Sequence, residues 1–414
     1  MSQIRDLAYN AKVASRALAA ASGAARAQAL NAMAGKLEAV KEELLAANAI
    51  DIENARKANV PEAFLKRLAI TDKIFNYMTK RLKEAAALPD PVGKVLQGAR
   101  MATGLEVTKV AVPLGVIAII YEARPNVTTD AAAVALKSAN AVILRGGSES
   151  INSNKVLVKA MQEAIVEAGL PANAVQYMDV PGHDAVTELL QQDDLIDVII
   201  PRGGKSLIQA ISNGTRIPVI KHYDGICHQY VSKNANFDMA IKLILNSKLE
   251  RVEVCNALET LLVDKTVAQE FLPLMADAFN KEGVEIRACN EAIKYIPNAV
   301  KATEEDWDTE YLDKIISIKV VDDIFAAAEH IAQHGSGHTD GIITDNLSEA
   351  DLFTKIVDSA SVLINASTRL SGGGDYGMGA VVGISTGKLH ARGPVGPEEL
   401  CSYKWIAKGN GHLR

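Results

Sequence analysis

The chain has 414 residues, with 44 Lys and Arg against 50 Asp and Glu for a net charge of −6, and 48% hydrophobic residues. That is the profile of a globular protein long enough for two or three domains, with enough apolar side chains to fill their cores. The slightly acidic balance excludes the electrostatic footprint of a nucleic-acid binder, and the mixed charge with a high apolar fraction excludes disorder.

The longest apolar stretch, Val110 to Tyr121, is interrupted by Pro113 and Gly115. It falls short of the roughly 18 apolar residues of a membrane span, so no membrane association is expected. The four cysteines at 227, 255, 289 and 401 form no C-x-x-C pair, which argues against a zinc knuckle or redox dithiol. Cysteine usage fits a reducing cytoplasm, and no secretory signal is expected because charged Arg5 and Asp6 come early with no apolar run behind them.

In chain order, residues 1 to about 90 predict helices. Ile4, Leu7, Ala11, Ala14 and Leu18 recur at helical spacing, as do Leu30, Met33, Leu37, Val40 and Leu44. Pro61 suits the first position of another helix, and Pro89, Pro91 and Gly93 end the pattern. Val95–Ala99 and Leu105–Val112, with Gly104 between them, predict a hairpin. An isolated two-stranded ribbon is marginal alone, so packing on another subunit is expected.

From Val112 the rhythm becomes strand, turn, helix. Strands are predicted at Gly115–Tyr121, Ala141–Arg145, Ala174–Val180, Ile196–Ile200 and Ile217–Ile220, with helices such as Ser148–Ala168 between them. The rhythm repeats at Glu259–Val263, Ile315–Val320, Thr339–Thr344 and Ser361–Ile364, and a short strand is expected at Ser402–Ile406. Short apolar strands alternating with helices predict parallel sheets covered on both faces, hence two α/β domains.

In open α/β sheets ligands bind beyond the carboxyl ends of the strands. Three such ends are polar: Glu122-Ala123-Arg124-Pro125-Asn126, Arg145-Gly146-Gly147-Ser148-Glu149 and Arg202-Gly203-Gly204-Lys205-Ser206. A Gly-rich turn with free N–H groups beside an arginine suits a phosphate-bearing ligand, though such turns also simply cap helices. Gly204-Lys205-Ser206 is not a P-loop, because the required upstream glycine falls on Ile199, and no G-x-G-x-x-G follows the first strand.

Cys255, in Val254-Cys255-Asn256-Ala257 between a helix and a strand, is the candidate nucleophile for a carbonyl carbon. The alternative for any single cysteine is a buried inert thiol, and Cys227, Cys289 and Cys401 are read that way. His334 and His338 could share a helix face as metal ligands, but Gly335 and Gly337 predict a turn, so no metal is expected. His222 and His228 read as structural or substrate-facing.

Several strings resemble the γ-glutamyl phosphate reductase family of the aldehyde dehydrogenase superfamily. They are Gly115-Val116-Ile117-Ala118-Ile119-Ile120-Tyr121-Glu122-Ala123-Arg124-Pro125-Asn126, Asn140-Ala141-Val142-Ile143-Leu144-Arg145-Gly146-Gly147, Ile200-Pro201-Arg202-Gly203-Gly204, Cys255-Asn256, Asn365-Ala366-Ser367-Thr368-Arg369 and Lys388-Leu389-His390-Ala391-Arg392-Gly393-Pro394. The resemblance covers nearly the whole chain in one order. It implies an aldehyde dehydrogenase-like α/β fold with two parallel-sheet domains and a β-ribbon oligomerisation element. The expected division is 1–93 and 113–235 for the Rossmann-like cofactor domain, 236–392 for the catalytic domain, and 94–112 with 393–414 for the oligomerisation hairpin and C-terminal strand.

The implied reaction is reduction of L-glutamyl 5-phosphate by NADPH to L-glutamate 5-semialdehyde with release of phosphate, the second step of proline biosynthesis. The resemblance makes Cys255 the nucleophile and Asn126 the donor to the oxyanion. It places Arg145, Gly146, Ser148, Arg202, Gly203 and Glu310 on the cofactor, with the Arg145 guanidinium suited to a 2′-phosphate. Ser367, Thr368 and Arg369 are the candidates for the glutamyl head. A homo-oligomer follows, and channelling from a separate glutamate 5-kinase is compatible with a labile acyl phosphate.

Aldehyde-oxidising relatives carry a water-activating glutamate where this chain reads Lys221-His222-Tyr223-Asp224-Gly225. Its loss suits a reductase that must not hydrolyse its thioester. Before the cysteine, Glu250-Arg251-Val252 also departs from the family pattern. Two alternatives stand beside the reductase: a hydrolytic dehydrogenase with Asp224 as base, and an inactive scaffold that binds the kinase.

Overall fold

The computed structural model describes residues 2–122 and 124–414; Ala123, inside one of the polar strand ends, lies outside the described residues. The chain divides into two units. The first comprises Met1–Lys221, Gly377–Gly383 and Val395–Arg414, and the second His222–Tyr376 and Ile384–Pro394.

The first unit opens with five helices, α1 (Gln3–Ala20), α2 (Gly23–Ala39), α3 (Lys41–Lys57), α4 (Glu62–Leu68) and α5 (Asp72–Ala87). Ser2, Ser22 and Thr71 cap α1, α2 and α5 by accepting from backbone N–H groups. The predicted stripe residues Leu30, Met33, Leu37 and Leu44 are fully buried. The hairpin follows as β1 (Val95–Arg100) and β2 (Glu106–Pro113). Then comes a four-stranded parallel sheet of β3 (Val116–Tyr121), β4 (Ala141–Arg145), β5 (Val175–Tyr177) and β6 (Val198–Arg202), in the order β5-β4-β3-β6. Every residue of β3 is buried, as a strand covered on both faces requires. Helices α6 (Pro125–Lys137), α7 (Ile151–Glu167), α8 (His183–Leu189) and α9 (Lys205–Gly214) complete the unit. The expected strand at Ile217–Ile220 makes only one bridge, Ile199 with Val219, because Pro218 has no N–H to give a ladder.

The C-terminal strand, Cys401–Lys408, pairs antiparallel with β2 along its whole length, so the ribbon is three-stranded. Asn140 fastens it: its amide donates to the Leu400 carbonyl at 2.9 Å and its Oδ1 accepts from Gly115 N–H at 2.7 Å. All of β1 is exposed, as are Tyr403 and Trp405, with Lys109 Nζ 3.5 Å from the Tyr403 ring centroid.

The second unit holds a seven-stranded parallel sheet. Its strands are β7 (Cys227–Val231), β8 (Leu258–Asp264), β9 (Glu285–Ala288), β10 (Val300–Lys301), β11 (Ile315–Val321), β12 (Thr339–Ile343) and β13 (Ser361–Ile364), ordered β10-β9-β11-β8-β7-β12-β13. Phe271, Met275 and Phe279 of α11 (Lys265–Lys281) and Ile244 of α10 (Phe237–Leu249) fill one apolar core. Ile331 of α13 (Ile324–His334) and Phe353 of α14 (Leu347–Ile356) fill another with Tyr230 and Leu262, and Trp307 of the one-turn α12 (Glu304–Trp307) packs on His330 of α13.

The boundary expected at 235 is corrected to Lys221/His222. β7 lies between β8 and β12 in the second sheet, so the chain has already changed units before it. The boundary expected at 392 is likewise replaced by two crossings, with Gly377–Gly383 returning to the first unit before Ile384–Pro394 rejoin the second.

Candidate active site

Cys255 lies in a turn between α10 and β8, half-buried, with Ala257 N–H donating to the Val254 carbonyl at 2.9 Å. Its own carbonyl accepts from the Cys227 thiol at 3.2 Å. Gly225 packs directly against it: a Cβ at Gly225 would stand 1.9 Å from the Cys255 oxygen. Only a residue without a side chain permits that approach. Gly225 N–H in turn donates to Glu310 Oε1 at 2.9 Å. Glu310, expected on a cofactor ribose, therefore also braces the backbone beneath the cysteine.

Two histidines complete this cluster. His222, Cys255 and His338 bring one potential ligand atom each within 4.8 Å of one another. The two imidazoles meet edge to face with centroids 5.4 Å apart. His222 Nδ1 lies 2.8 Å from the Ile384 carbonyl and must carry the proton there, which leaves Nε2 as an acceptor. His338 is fully buried; its Nδ1 meets Thr339 Oγ1 at 2.8 Å, that hydroxyl meets Ser371 Oγ at 2.7 Å, and Nε2 has no partner. Burial holds its pKa down at about 4, so the ring is neutral near pH 7. His334 does not join it, being paired with Asp308 at 2.8 Å.

Beside Cys255, Asn256 donates to the carbonyls of Arg369 and Ser371 at 3.3 and 3.2 Å, and its Oδ1 accepts from the Arg369 guanidinium. Arg369 Nε is 3.5 Å from Glu250 Oε2. Ser367 and Thr368 are buried and held by Ser247, whose Oγ lies 3.1 Å from Ser367 Oγ and accepts from Thr368 N–H at 3.1 Å. Of the three head-group candidates, Arg369 is the one partly open to solvent. Below them lies a fully buried ion pair, Lys248 Nζ to Glu259 Oε2 at 2.6 Å. Burial pushes the Glu259 carboxyl up to about 7 and the Lys248 ammonium down.

In the first unit, the cofactor candidates stand at the carboxyl ends of β4 and β6, the two strands that flank β3. Arg145 ends β4 and donates to the Gly146 carbonyl at 2.8 Å. A Cβ at Gly146 would lie 2.4 Å from Asn154 Nδ2. Asn154 belongs to a buried chain in which Tyr121 Oη meets Thr128 Oγ1 at 2.6 Å and Thr128 donates to Asn154 Oδ1 at 2.7 Å. Ser148 begins a 3₁₀ turn, Ser148–Ser150. Arg202 ends β6, and Gly203 leads into α9, whose first turn has no side-chain cap. The Glu122 carboxylate accepts from Gly204 N–H at 3.2 Å. Asn126, in the first turn of α6, donates to Asp130 Oδ2 at 3.4 Å, and burial raises the Asp130 pKa to about 6.

The Aldehyde dehydrogenase family model matches residues 1–290. A curated relative, γ-glutamyl phosphate reductase of Thermodesulfovibrio yellowstonii, is 45% identical over the full length of both chains. The crystal structure of γ-glutamyl phosphate reductase from Thermotoga maritima is 41% identical, covers 100% of both chains and superposes with a TM-score of 0.98. This chain belongs to the γ-glutamyl phosphate reductase family. The same family's enzyme from Saccharomyces cerevisiae is 31% identical, with a TM-score of 0.55 over 100% of this chain and 99% of that one. The aldehyde dehydrogenase-like α/β fold read from the motifs is therefore that of the family.

In this γ-glutamyl phosphate reductase family member, the candidate residues around Cys255 lie at the amino ends of the strands of the second unit. Gly225 precedes β7, Cys255 precedes β8 and His338 precedes β12. The candidates of the first unit stand at carboxyl strand ends, whereas those around Cys255 stand at amino ends. His222 and His338 were not read beside Cys255; the signal available was their place before β7, which neighbours β8, and before β12, which neighbours β7.

The buried histidines set a pH dependence. His338 is held to about 4 and His330, buried against Lys319, to about 2, both below the ordinary value near 6.5. The unfolded chain therefore binds more protons than the folded one below pH 6.5. This contribution is intact above about pH 6.5 and is lost as pH falls from there, towards 4 for His338 and on towards 2 for His330. Thermal unfolding of the second unit, followed by the fluorescence of buried Trp307, is expected to shift downward across that window, and less steeply in His338→Gln.

Proposed function

We propose that this chain is the NADPH-dependent reductase of L-glutamyl 5-phosphate, yielding L-glutamate 5-semialdehyde and phosphate. The observation that carries the reading is Cys255 on a turn braced by Gly225, in a chain 45% identical along its length to a relative named for that reaction. The Cys255 thiolate attacks the acyl carbon, the bond from that carbon to the phosphate oxygen breaks, and phosphate leaves with its electron pair. A reduced nicotinamide, when bound, supplies the hydride for the resulting thioester. The thiohemiacetal then re-forms its carbonyl and the carbon–sulfur bond breaks, returning the thiolate.

Both tetrahedral species place negative charge on oxygen. The Cys255 backbone N–H and the Asn126 amide are the donors assigned to it, Asn126 through the family motif. The donor set in the first unit fits an anionic dinucleotide: two guanidinium groups at the carboxyl ends of β4 and β6, which flank β3, and the N-terminus of α9. Arg145, Gly146, Ser148, Arg202 and Gly203 are assigned to it, with Arg145 favouring a 2′-phosphate, and Glu310 to the nicotinamide ribose. Arg369 is assigned to the substrate α-carboxylate, supported by Ser367 and Thr368. The first unit is accordingly the cofactor domain and the second the catalytic one. The exposed ribbon is assigned to a homo-oligomer contact. No described helix is long and apolar enough to cross a membrane. A cytoplasmic enzyme receiving its labile substrate from glutamate 5-kinase completes the reading.

The test runs the reaction backwards, with glutamate 5-semialdehyde and NADP⁺, with and without inorganic phosphate. NADPH formed only with phosphate is the expected result. Equal rates without phosphate overturn it, because water would then be the acyl acceptor and Asp224 the suspected base.

A further inference from the structure

We propose that Cys255, His222 and His338 form a binding site for a single thiophilic divalent cation, zinc by preference, and that the bound cation caps the nucleophile. The proposal rests on Cys255 being the reactive thiol only in its second half; the binding itself requires nothing of the reaction.

The donors are one thiol and two imidazoles, with their potential ligand atoms within 4.8 Å of one another. A tetrahedral zinc with bonds of about 2.0–2.3 Å separates its ligand atoms by roughly 3.3–3.8 Å, so side-chain shifts of about 1.5 Å or less close the set. Both rings are prepared for it. The Ile384 carbonyl fixes the proton on His222 Nδ1, so Nε2 offers a lone pair. Among the described residues, His338 Nε2 is buried without a hydrogen-bond partner, a cost that a cation would remove. Its Nδ1 can donate to Thr339 Oγ1, which passes its own proton towards Ser371 Oγ. Metal-bound histidines ordinarily have such an outer partner, which fixes tautomer and ring orientation. Thiolate and imidazole together select zinc-like ions over magnesium or calcium. Cys255 itself is half-buried, so solvent reaches the residue.

On binding, the cation forms a bond to Cys255 Sγ, and the thiol proton passes to solvent. No electron changes hands. The sulfur lone pair that would attack an acyl carbon is then held by the metal, so turnover stops until a chelator removes it.

Cobalt(II) titrated into the full chain is the probe, since a thiolate–cobalt bond gives a charge-transfer band in the near ultraviolet. One equivalent is expected to develop the band, and zinc to displace it. Cys255→Ser should lose the band, and His222→Ala should weaken cobalt binding by about tenfold or more. His338→Gln should do the same; His222 is the less buried of the two, so its variant carries the test if the other fails to fold. A band that survives in Cys255→Ser, or unchanged affinity in His222→Ala, overturns the site. Full turnover at saturating zinc, not reversed or altered by chelator, overturns the capping. A chain that binds cobalt as described yet reduces no acyl phosphate refutes the reductase reading and leaves the site standing.

Discussion

Cys255→Ser is expected to lower NADPH-linked turnover by about 10³-fold or more, measured as kcat in either direction. The thiolate is the reactive form of cysteine, and a serine hydroxyl is too weak an acid to replace it without a dedicated base. The nearby candidates for such a base are His222 and His338, and His338 is held neutral with a pKa of about 4, too low to draw a proton from a hydroxyl. Cys227→Ser is the matched control. Burial pushes the Cys227 thiol well above its ordinary range, so it stays protonated and serves as a donor to the Cys255 carbonyl. A serine keeps that donor, and the variant should retain most activity. Comparable losses in the two variants would refute the assignment of Cys255 as the only nucleophile.

The second large effect is on stability. Lys248 and Glu259 are both fully buried and meet at 2.6 Å, with Leu312 N–H donating to the other Glu259 oxygen at 3.4 Å. Removing one partner leaves a charge or an unpaired carboxyl in the interior, which typically costs about 3–5 kcal/mol. Lys248→Met should therefore unfold at markedly lower denaturant, read by Trp307. Replacing both partners with apolar residues of similar volume should recover most of the loss, because the desolvation penalty disappears with the charges. An unchanged denaturation midpoint for Lys248→Met would show that the pair does not hold the second unit together.

Much of the architecture was legible because a parallel strand covered on both faces is an uninterrupted apolar run. Val116–Tyr121 and Ala141–Arg145 are such runs, and their limits were read to within a residue. Glu285–Ala288 and Val300–Lys301 were missed, since the last two strands on that side of the sheet are short, carry charge and have little apolar length. The unit boundary was misplaced because Gly225–Val231 looks like a continuation of the preceding rhythm; only its pairing with β8 and β12 assigns it to the second sheet. Cys255 was readable as a loop cysteine between two elements. Its histidine neighbours were not, because sheet order brings β12 beside β7 and carries His338 to the cysteine. That adjacency is a tertiary fact with no local signature.

The division of the chain also bears on how the molecule is made. The first unit takes in helices from residue 3 onward and a strand ending at residue 408, while the second is enclosed between them. Domains generally fold as units during synthesis. Here the embedded unit has all seven strands of its sheet available once residue 364 has left the ribosome. The first unit cannot seat Leu400 on Asn140, or give β2 its second neighbour, until the last residues emerge. A nascent chain stalled near residue 394 would thus carry a nearly finished second unit, and a first unit whose ribbon still has an open edge.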